Sequence, residues 1–383
     1  MNILFEMKLQ DLFNKDMMPN WDVFEKTFPE METLRHSMRW HDEGSPLEHT
    51  KLVTNWMQKF LKEQWEYHNS TYYDDNYLIM MSAAMLHDIG KPSTTYWNEK
   101  EQDWCCKSHG EAGERIFRNL FREERIDLRE KIAYMIRYHM LLHNFDDKPI
   151  EKQKDIISRL VDGIMPFEAM LLLNECDLRG TSNKETTEES ISNHISLVKS
   201  LYEDTEKNSR WNYINKDTIP VFVMIGVAGS GKSTYAHKLQ AEYKAKTDAE
   251  IPIVSRDLIR VELGYCKEGE KYLGTEQEEN EVTKIVDKRI KELCNERKVF
   301  IIDNTSLKKK ARKQYLDLCK EYNAVPIYIY VEAPSMEENI KRREEQIDAS
   351  IIERMWNTME FPTKDECCSL RLVNPKDERI ITL

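Results

Sequence analysis

The nine residues Gly226, Val227, Ala228, Gly229, Ser230, Gly231, Lys232, Ser233 and Thr234 constrain the fold more tightly than any other stretch of the chain. They fit GxxxxGK followed by Ser or Thr, and lie directly between the apolar run VFVMI and the helix-like TYAHKLQAEY. A phosphate cradle needs a strand, a glycine-rich turn and a helix in that order. Glycines let backbone N–H groups approach the anion, and the N-terminus of the following helix favours negative charge. In that frame Lys232 reaches the terminal phosphates of ATP, and the Ser233 hydroxyl ligates Mg²⁺. Downstream, the apolar runs IPIV, VFIID and VPIYIYV are separated by stretches of helical character. Strands alternating with helices predict an α/β domain with a parallel sheet over residues 218–383.

Upstream the periodicity changes. Ser45-Pro46-Leu47-Glu48 reads as a capping box with proline at the first helical position, Ser108-His109-Gly110-Glu111 as a second box, and Pro166 opens PFEAMLLLNECDL. NYLIMMSAAMLHD and EKIAYMIRYHMLLH carry apolar residues at three- and four-residue spacing, which turns one face of each toward a common core. The expectation is an all-α helical bundle over residues 1–205, with 206–217 as a linker. The polar stretch RGTSNKETTEES reads as a connection, and ISNHISLVKSLYED as a helix leading out of the bundle. A length of 383 residues accommodates two domains at about 150 residues each.

Composition excludes some partners. No apolar run approaches the roughly 18 residues that a membrane span needs, and MNILFEMKLQDLFNKD lacks the layout of a secretory signal. The expectation is a soluble cytoplasmic protein with no membrane partner. Eight cysteines include the adjacent pairs Cys105-Cys106 and Cys367-Cys368 without any CxxC spacing, which reads as reduced thiols. A net charge of -12 argues against broad attraction to nucleic acid, so any such contact must be local. The basic run Lys308, Lys309, Lys310, Arg312 and Lys313 reads either as such a local contact or as a solvated helix face.

Beyond the phosphate loop, IVSRDLIR places Asp257 and Arg260 one helical turn apart at the carboxyl edge of the expected sheet, where ligands bind. A carboxylate there can accept the proton of an attacking hydroxyl, and an arginine can hold an acceptor phosphate bidentately. The plainer reading is a helix-capping Asp257 with a surface Arg260. Asp303 ends VFIID and either supports Mg²⁺ or the acceptor, or caps the next helix. In the N-terminal half, His49, His87, Asp88, His109, His139 and Asp177 fall near the ends of expected helices. Imidazole with carboxylate suits divalent transition metals such as Mn²⁺, Fe²⁺, Co²⁺ or Zn²⁺, one or two ions, and bundles build such sites from facing helices. Water held by such a cation has its pKa lowered toward neutral and can attack phosphorus. His143 competes with His139 for the ligand role, and Lys91 is either a phosphate-compensating cation or a solvent-facing lysine.

The segments VFVMIGVAGSGKSTYA, IVSRDLIR and VFIIDNTSL, in that order, resemble the P-loop kinase of polynucleotide 5'-kinases. The resemblance implies that Asp257 is the general base on a 5'-hydroxyl and that Arg260 contacts a phosphate of the acceptor. It also implies a lid in ENIKRREEQIDASIIERMWNTM, with Arg342 or Arg343 clamping the ATP phosphates. The family usually shows a second arginine a few residues later, where this chain has Glu344-Glu345-Gln346. HDEGSPLEHT, AAMLHDIGKP, SHGEAGERI, IRYH and NECDL are similar to the HD phosphohydrolase superfamily. That likeness implies His49, His87, Asp88 and Asp177 as metal ligands, with His109 and His139 as the extra ligands of two-metal members. It implies Lys91 as a substrate-phosphate contact and His41, beside Glu43, as a further substrate contact.

Together the two halves resemble the HD-Pnk family, an HD phosphohydrolase fused to a polynucleotide 5'-kinase. The resemblance implies RNA end healing: the HD module removes a 2',3'-cyclic phosphate, 2'-phosphate or 3'-phosphate, and the kinase phosphorylates a 5'-hydroxyl. RNA or DNA strand ends would be the substrates, and a separate ligase would act downstream. Two alternatives stand beside it. One is an HD nucleotidase fused to a nucleoside or nucleotide kinase acting on small molecules, and the other is a nucleotide-gated sensor without catalysis.

Overall fold

The structure, a computed structural model, describes residues 7–37, 44–68, 75–161, 163–181, 186–206, 214–267, 269–333, 335–362, 366–374 and 379–382. His41, Asp42 and Glu43 lie outside the described residues. The chain divides into two compact units, Met1–Ser209 and Arg210–Leu383.

The first unit is helical: α1 (Trp21–Thr27), α2 (Glu30–Thr33), α3 (Pro46–His68), α4 (Asp75–Leu86) and α5 (Lys91–Thr94) precede α6 (His109–Leu120) and α7 (Ile126–Tyr138). Then come α8 (Ile150–Val161), α9 (Phe167–Gly180) and α10 (Glu188–Glu206). Every residue of α4 from Tyr77 to Leu86 is buried, so α4 is apolar all round and forms the centre on which α3, α7 and α9 pack. The helical pattern has one interruption. β1 (Thr95–Asn98) and β2 (Asp103–Cys106) form an antiparallel hairpin that pairs Trp97 with Trp104, in a region the periodicity reads as helical throughout. The capping box expected at Ser108 does not form. Ser108 takes a left-handed φ of 59° and makes no side-chain cap bond, because the chain turns sharply there from β2 into α6. At Ser45 the expected bond is present, with the Glu48 N–H donating to the hydroxyl.

The second unit contains β3 (Ile219–Ile225), α11 (Lys232–Thr247), β4 (Ile253–Ser255), α12 (Arg256–Glu262), α13 (Glu276–Asn295) and β5 (Phe300–Asp303). It continues through α14 (Lys309–Glu321), β6 (Ala324–Val331), α15 (Met336–Arg343), α16 (Ala349–Thr358), β7 (Ser369–Asn374) and β8 (Arg379–Thr382). The sheet order is β4-β5-β3-β6-β7-β8, parallel except for the antiparallel β8 at the edge. Central β3 is buried along nearly its whole length, as expected of a strand covered on both faces. Phe222, Met224, Ala236, Leu239, Ile301 and Ile329 form the core between sheet and helices. The β4–β5 register sets Ser255 beside Asp303, which brings the start of α12 to the carboxyl end of the strand ending at Asp303.

The basic run after β5 is neither a uniform solvated face nor a uniform binding strip. Arg312 is fully buried, donates twice to Glu366 and also caps the carbonyls of Ser306 and Glu360. A guanidinium is tolerated there because its fork is matched by carboxylate and carbonyl acceptors.

Candidate active sites

In the helical unit, α3 supplies His49, the turn after α4 supplies His87 and Asp88, and α6 begins with His109. His139 follows α7, and Asp177 lies in the last turns of α9. All six are buried. Their ligand atoms gather into two adjoining groups, His49–His87–Asp177 and Asp88–His109–His139, each with its atoms within 4.8 Å of one another. Nε2 of His49 lies 2.9 Å from Asp177 Oδ1 and 3.9 Å from Asp88 Oδ2. His109 Nε2 lies 3.3 Å from Asp88 Oδ1 and 3.0 Å from His139 Nε2.

The backbone aims these rings. Nδ1 of His87 donates to the Ala84 carbonyl at 2.8 Å, that of His109 to Cys106 at 2.8 Å and that of His139 to Ile136 at 2.7 Å. A proton fixed on Nδ1 leaves Nε2 as the inward lone pair of His87 and His139, the arrangement expected of imidazole ligands. Burial opposes charge on His109, but its bonds to Asp88 and Cys106 push its pKa up to about 10, so a cation would take the place of its Nε2 proton. Nε2 of His87 is buried without a well-directed hydrogen bond, 3.3 Å from Asp88 Oδ2 and 3.9 Å from Asp177 Oδ1. Converging buried nitrogen and oxygen donors with an orphaned ring nitrogen fit a divalent cation of the borderline kind.

Burial opposes ionisation of Asp88, yet the charges of Lys91 and His87 and a bond from His109 hold its carboxyl well below the usual range. Burial likewise opposes Asp177, and His143 and His49 overcome it. His139 is held well below its ordinary value by burial and by the neighbouring His109 and His87. Both carboxylates are thus ionised and His139 neutral, states with lone pairs to give.

Lys91 is not solvent-facing. It is buried with Nζ 2.6 Å from Asp88 Oδ2. His143 stands behind Asp177, its Nε2 2.8 Å from Oδ2, so it buttresses the carboxylate whose other oxygen meets His49, while His139 is the one in the cluster. The glycines of HDIGKP and SHGEAG were invisible as site residues. A Cβ on Gly90 would fall 1.9 Å from the His109 carbonyl, and one on Gly110 would fall 2.6 Å from that of Arg137. Only glycine lets the His87-Asp88 turn, α6 and α7 approach closely enough to close the cluster.

In the α/β unit, Gly226, Gly229 and Gly231 take φ of 152°, 82° and 97°, values that favour glycine, and α11 starts at Lys232. Lys232 Nζ donates to the Val227 carbonyl at 2.9 Å, and burial pushes its pKa down to about 8. Asp303 hydrogen-bonds Ser233, and burial raises its pKa. It does not cap the next helix, whose N-cap is Lys308. Asp257 is not the cap of α12 either, since that position is Ser255.

Ser233, Asp257, Arg260, Asp303 and Arg343 line one cavity of about 510 Å³. The Asp257 side chain is 85 % exposed, and Arg260 is 17 % exposed, ion-paired to Asp257. Glu279, a residue that sequence reasoning missed, grips Arg260 through Nε at 2.8 Å and Nη2 at 3.0 Å and also takes Arg256 at 2.6 Å. Glu279 lies nineteen positions after Arg260 on another helix, so no local pattern signals it. The structure separates the two arginines of the expected lid. Arg343 lines the cavity, whereas Arg342 pairs with Glu338 and reaches the Gly229 carbonyl at 3.3 Å.

Residues 47–164 match the HD domain family and residues 221–362 an AAA domain family. The two matches stand in the order in which the motifs occur, a helical HD region before a P-loop α/β kinase fold. No curated protein sequence matches the chain. Among solved structures, a chain of the Pnkp1/Rnl/Hen1 RNA repair complex is 24% identical over 39% of this chain and 46% of that one, with a TM-score of 0.31. Kti12 of Chaetomium thermophilum in complex with ADP-AlF3 is 18% identical over 42% and 92%, with a TM-score of 0.32. A gluconokinase from Sinorhizobium meliloti is 15% identical over 40% and 82%, with a TM-score of 0.28. The chain spans less than half the length of the repair-complex chain. No helix among the described residues is long and apolar enough to cross a membrane.

Proposed function

We propose, for a chain that joins an HD domain to a P-loop kinase domain, that the two sites heal opposite ends of a broken RNA strand. The observation that carries this reading is the pairing, in one chain, of Asp257 and Arg260 beside a phosphate loop with a buried cluster of six His and Asp ligands.

In the α/β unit a 5'-hydroxyl enters the cavity and gives its proton to Asp257 as its oxygen bonds to the γ-phosphorus of ATP. The bond from that phosphorus to the β–γ bridging oxygen breaks, and ADP leaves. Lys232 steadies the departing charge, and Arg260 holds a phosphate of the acceptor strand. Mg²⁺, held by Ser233 with Asp303 behind it, would supply further neutralisation of the phosphates.

In the helical unit His49, His87 and Asp177 would hold one divalent ion and Asp88, His109 and His139 a second, supplying Lewis acidity and activation of water. The Nδ1 bonds to backbone carbonyls keep the imidazoles aimed, and His143 orients Asp177. Lys91 offsets negative charge at the phosphate. One water opens a 2',3'-cyclic phosphate to a 2'- or 3'-monoester, and a second releases inorganic phosphate from that monoester to leave a diol end, which with the new 5'-phosphate is a substrate for a separate ligase.

The net charge of -12 favours a second reading, turnover of mononucleotides rather than strand ends. Crossed variants test the assignment. Asp257→Ala should abolish transfer of phosphate from ATP to a 5'-hydroxyl oligonucleotide while sparing phosphate release from a cyclic end, and His87→Ala should do the reverse. Loss of both activities from either change, in a protein that remains folded, overturns the picture of two independent sites.

A further inference from the structure

Four lysine and arginine side chains among the described residues line the 510 Å³ cavity, namely Arg260, Lys267, Lys271 and Arg343. Three are already paired: Arg260 with Glu279 and Asp257, Lys267 with Glu270, and Lys271 with Asp348. Arg343 is the exception. Its Nη1 donates to the side-chain carbonyl of Gln346, a neutral acceptor, and no carboxylate among the described residues pairs with it. Its stem lies against the phosphate loop, close enough that a Cβ on Gly229 would sit 3.4 Å from Arg343 Cγ. Its charge also reaches Lys232, whose pKa it helps to lower after burial has done most of the work.

An amide acceptor fixes the direction of a guanidinium without cancelling its charge, whereas a carboxylate cancels it. Gln346 is itself fixed, because its N–H donates to the Arg343 carbonyl at 2.8 Å where α15 ends. It stands in the segment where the resemblance leads one to expect a second arginine. We propose that Gln346 is a positioning residue that holds Arg343 over the phosphate loop with its charge open, so that the polyphosphate of a bound nucleotide becomes Arg343's only anionic partner. The proposal rests on the reading that the loop binds ATP.

The test compares Gln346→Glu with Gln346→Ala in the full chain, measuring the ATP·Mg²⁺ dissociation constant by calorimetry and KM and kcat on a 5'-hydroxyl oligonucleotide. A merely structural contact makes Gln346→Glu the milder change, since it keeps the hydrogen bond. The proposal requires the opposite order. In Gln346→Glu the dissociation constant and the KM for ATP rise on the order of tenfold, with the oligonucleotide KM unchanged, because the new carboxylate competes with phosphate for the guanidinium. Gln346→Ala gives a smaller rise, and Gln346→Met, of similar length but without an acceptor, gives the same smaller rise and serves if either variant fails to fold. Wild-type affinity in Gln346→Glu, or a greater loss in Gln346→Ala, overturns the proposal while leaving the ATP reading intact. Failure of the wild type to bind ATP overturns both.

Discussion

Replacing Gly90 by alanine adds one methyl group and should disable one active site while leaving the other untouched. Gly90 has an ordinary helical φ of -82°, so conformational freedom is not what it provides. The added Cβ would lie 1.9 Å from the His109 carbonyl oxygen and 2.5 Å from the Gly113 nitrogen, both backbone atoms that no rotamer change can clear. Restoring even 3.0 Å from the 1.9 Å contact moves the start of α6 away from the His87-Asp88 turn by about 1.1 Å. That displacement falls on the cluster, where Asp88 Oδ1 and His109 Nε2 are 3.3 Å apart and sit on the two sides of the contact. Overpacking of this kind costs about 1–3 kcal/mol of stability, and a displacement of about 1 Å in a reactive constellation costs on the order of 100-fold in rate. Mn²⁺ binding by calorimetry, phosphate release from a 2',3'-cyclic end and transfer from ATP to a 5'-hydroxyl should be measured on one preparation. The first two should fall and the third should stay at the wild-type level. Full metal stoichiometry with hydrolysis within about twofold of wild type would refute the reasoning, since the geometry leaves no place for the methyl group.

Three further outcomes follow from particular contacts. Burial lowers the folded pKa of Lys232 from 10.5 to about 8, so between those values the unfolded chain binds a proton that the folded chain does not, and stability rises with pH. Lys232→Met removes a cost on the order of 3 kcal/mol that is fully present below pH 8; thermal melts of the nucleotide-free protein should show a gain at pH 7 that fades by pH 10.5, and a pH-independent gain would contradict the assignment to charge burial. Glu366→Ala leaves the fully buried Arg312 without its carboxylate and should destabilise the α/β unit by about 3–5 kcal/mol in denaturant unfolding, whereas a change under about 1 kcal/mol would mean that the carbonyl contacts suffice. His143→Ala removes the group behind Asp177 Oδ2 at 2.8 Å and should weaken metal binding by about 10- to 100-fold while retaining stoichiometry; loss of a whole equivalent of metal would make it a ligand instead.

The phosphate loop was legible because a strand, three glycines and a helix start are contiguous, and their φ values and placement are local properties of those residues. The His and Asp set was legible by order, but the choice between His139 and His143 was not. Both follow α7, and the short 3-10 turn His139–Leu142 decides which ring faces inward. The hairpin escaped notice because each strand has four residues and the connecting stretch EKEQ is as polar as a helix surface. Strands β7 and β8 form the far edge of the sheet, and the alternation of SLRLVN spans too few residues, and RIIT fewer still, to stand out as strands. Glu279 and the burial of Arg312 depend on packing between elements distant in sequence, and a run of lysines gives no local sign that one arginine within it points inward.

The central claim is that one chain repairs both ends of a strand. The wild type should be incubated with ATP, Mg²⁺ and Mn²⁺ and an RNA oligonucleotide bearing a 5'-hydroxyl and a 2',3'-cyclic phosphate, with mononucleotides of the same terminal chemistry supplied in parallel, and the product masses read. Gain of a 5'-phosphate together with loss of the cyclic phosphate on the oligonucleotide is the predicted result. Unchanged oligonucleotide termini alongside turnover of the mononucleotides would contradict it.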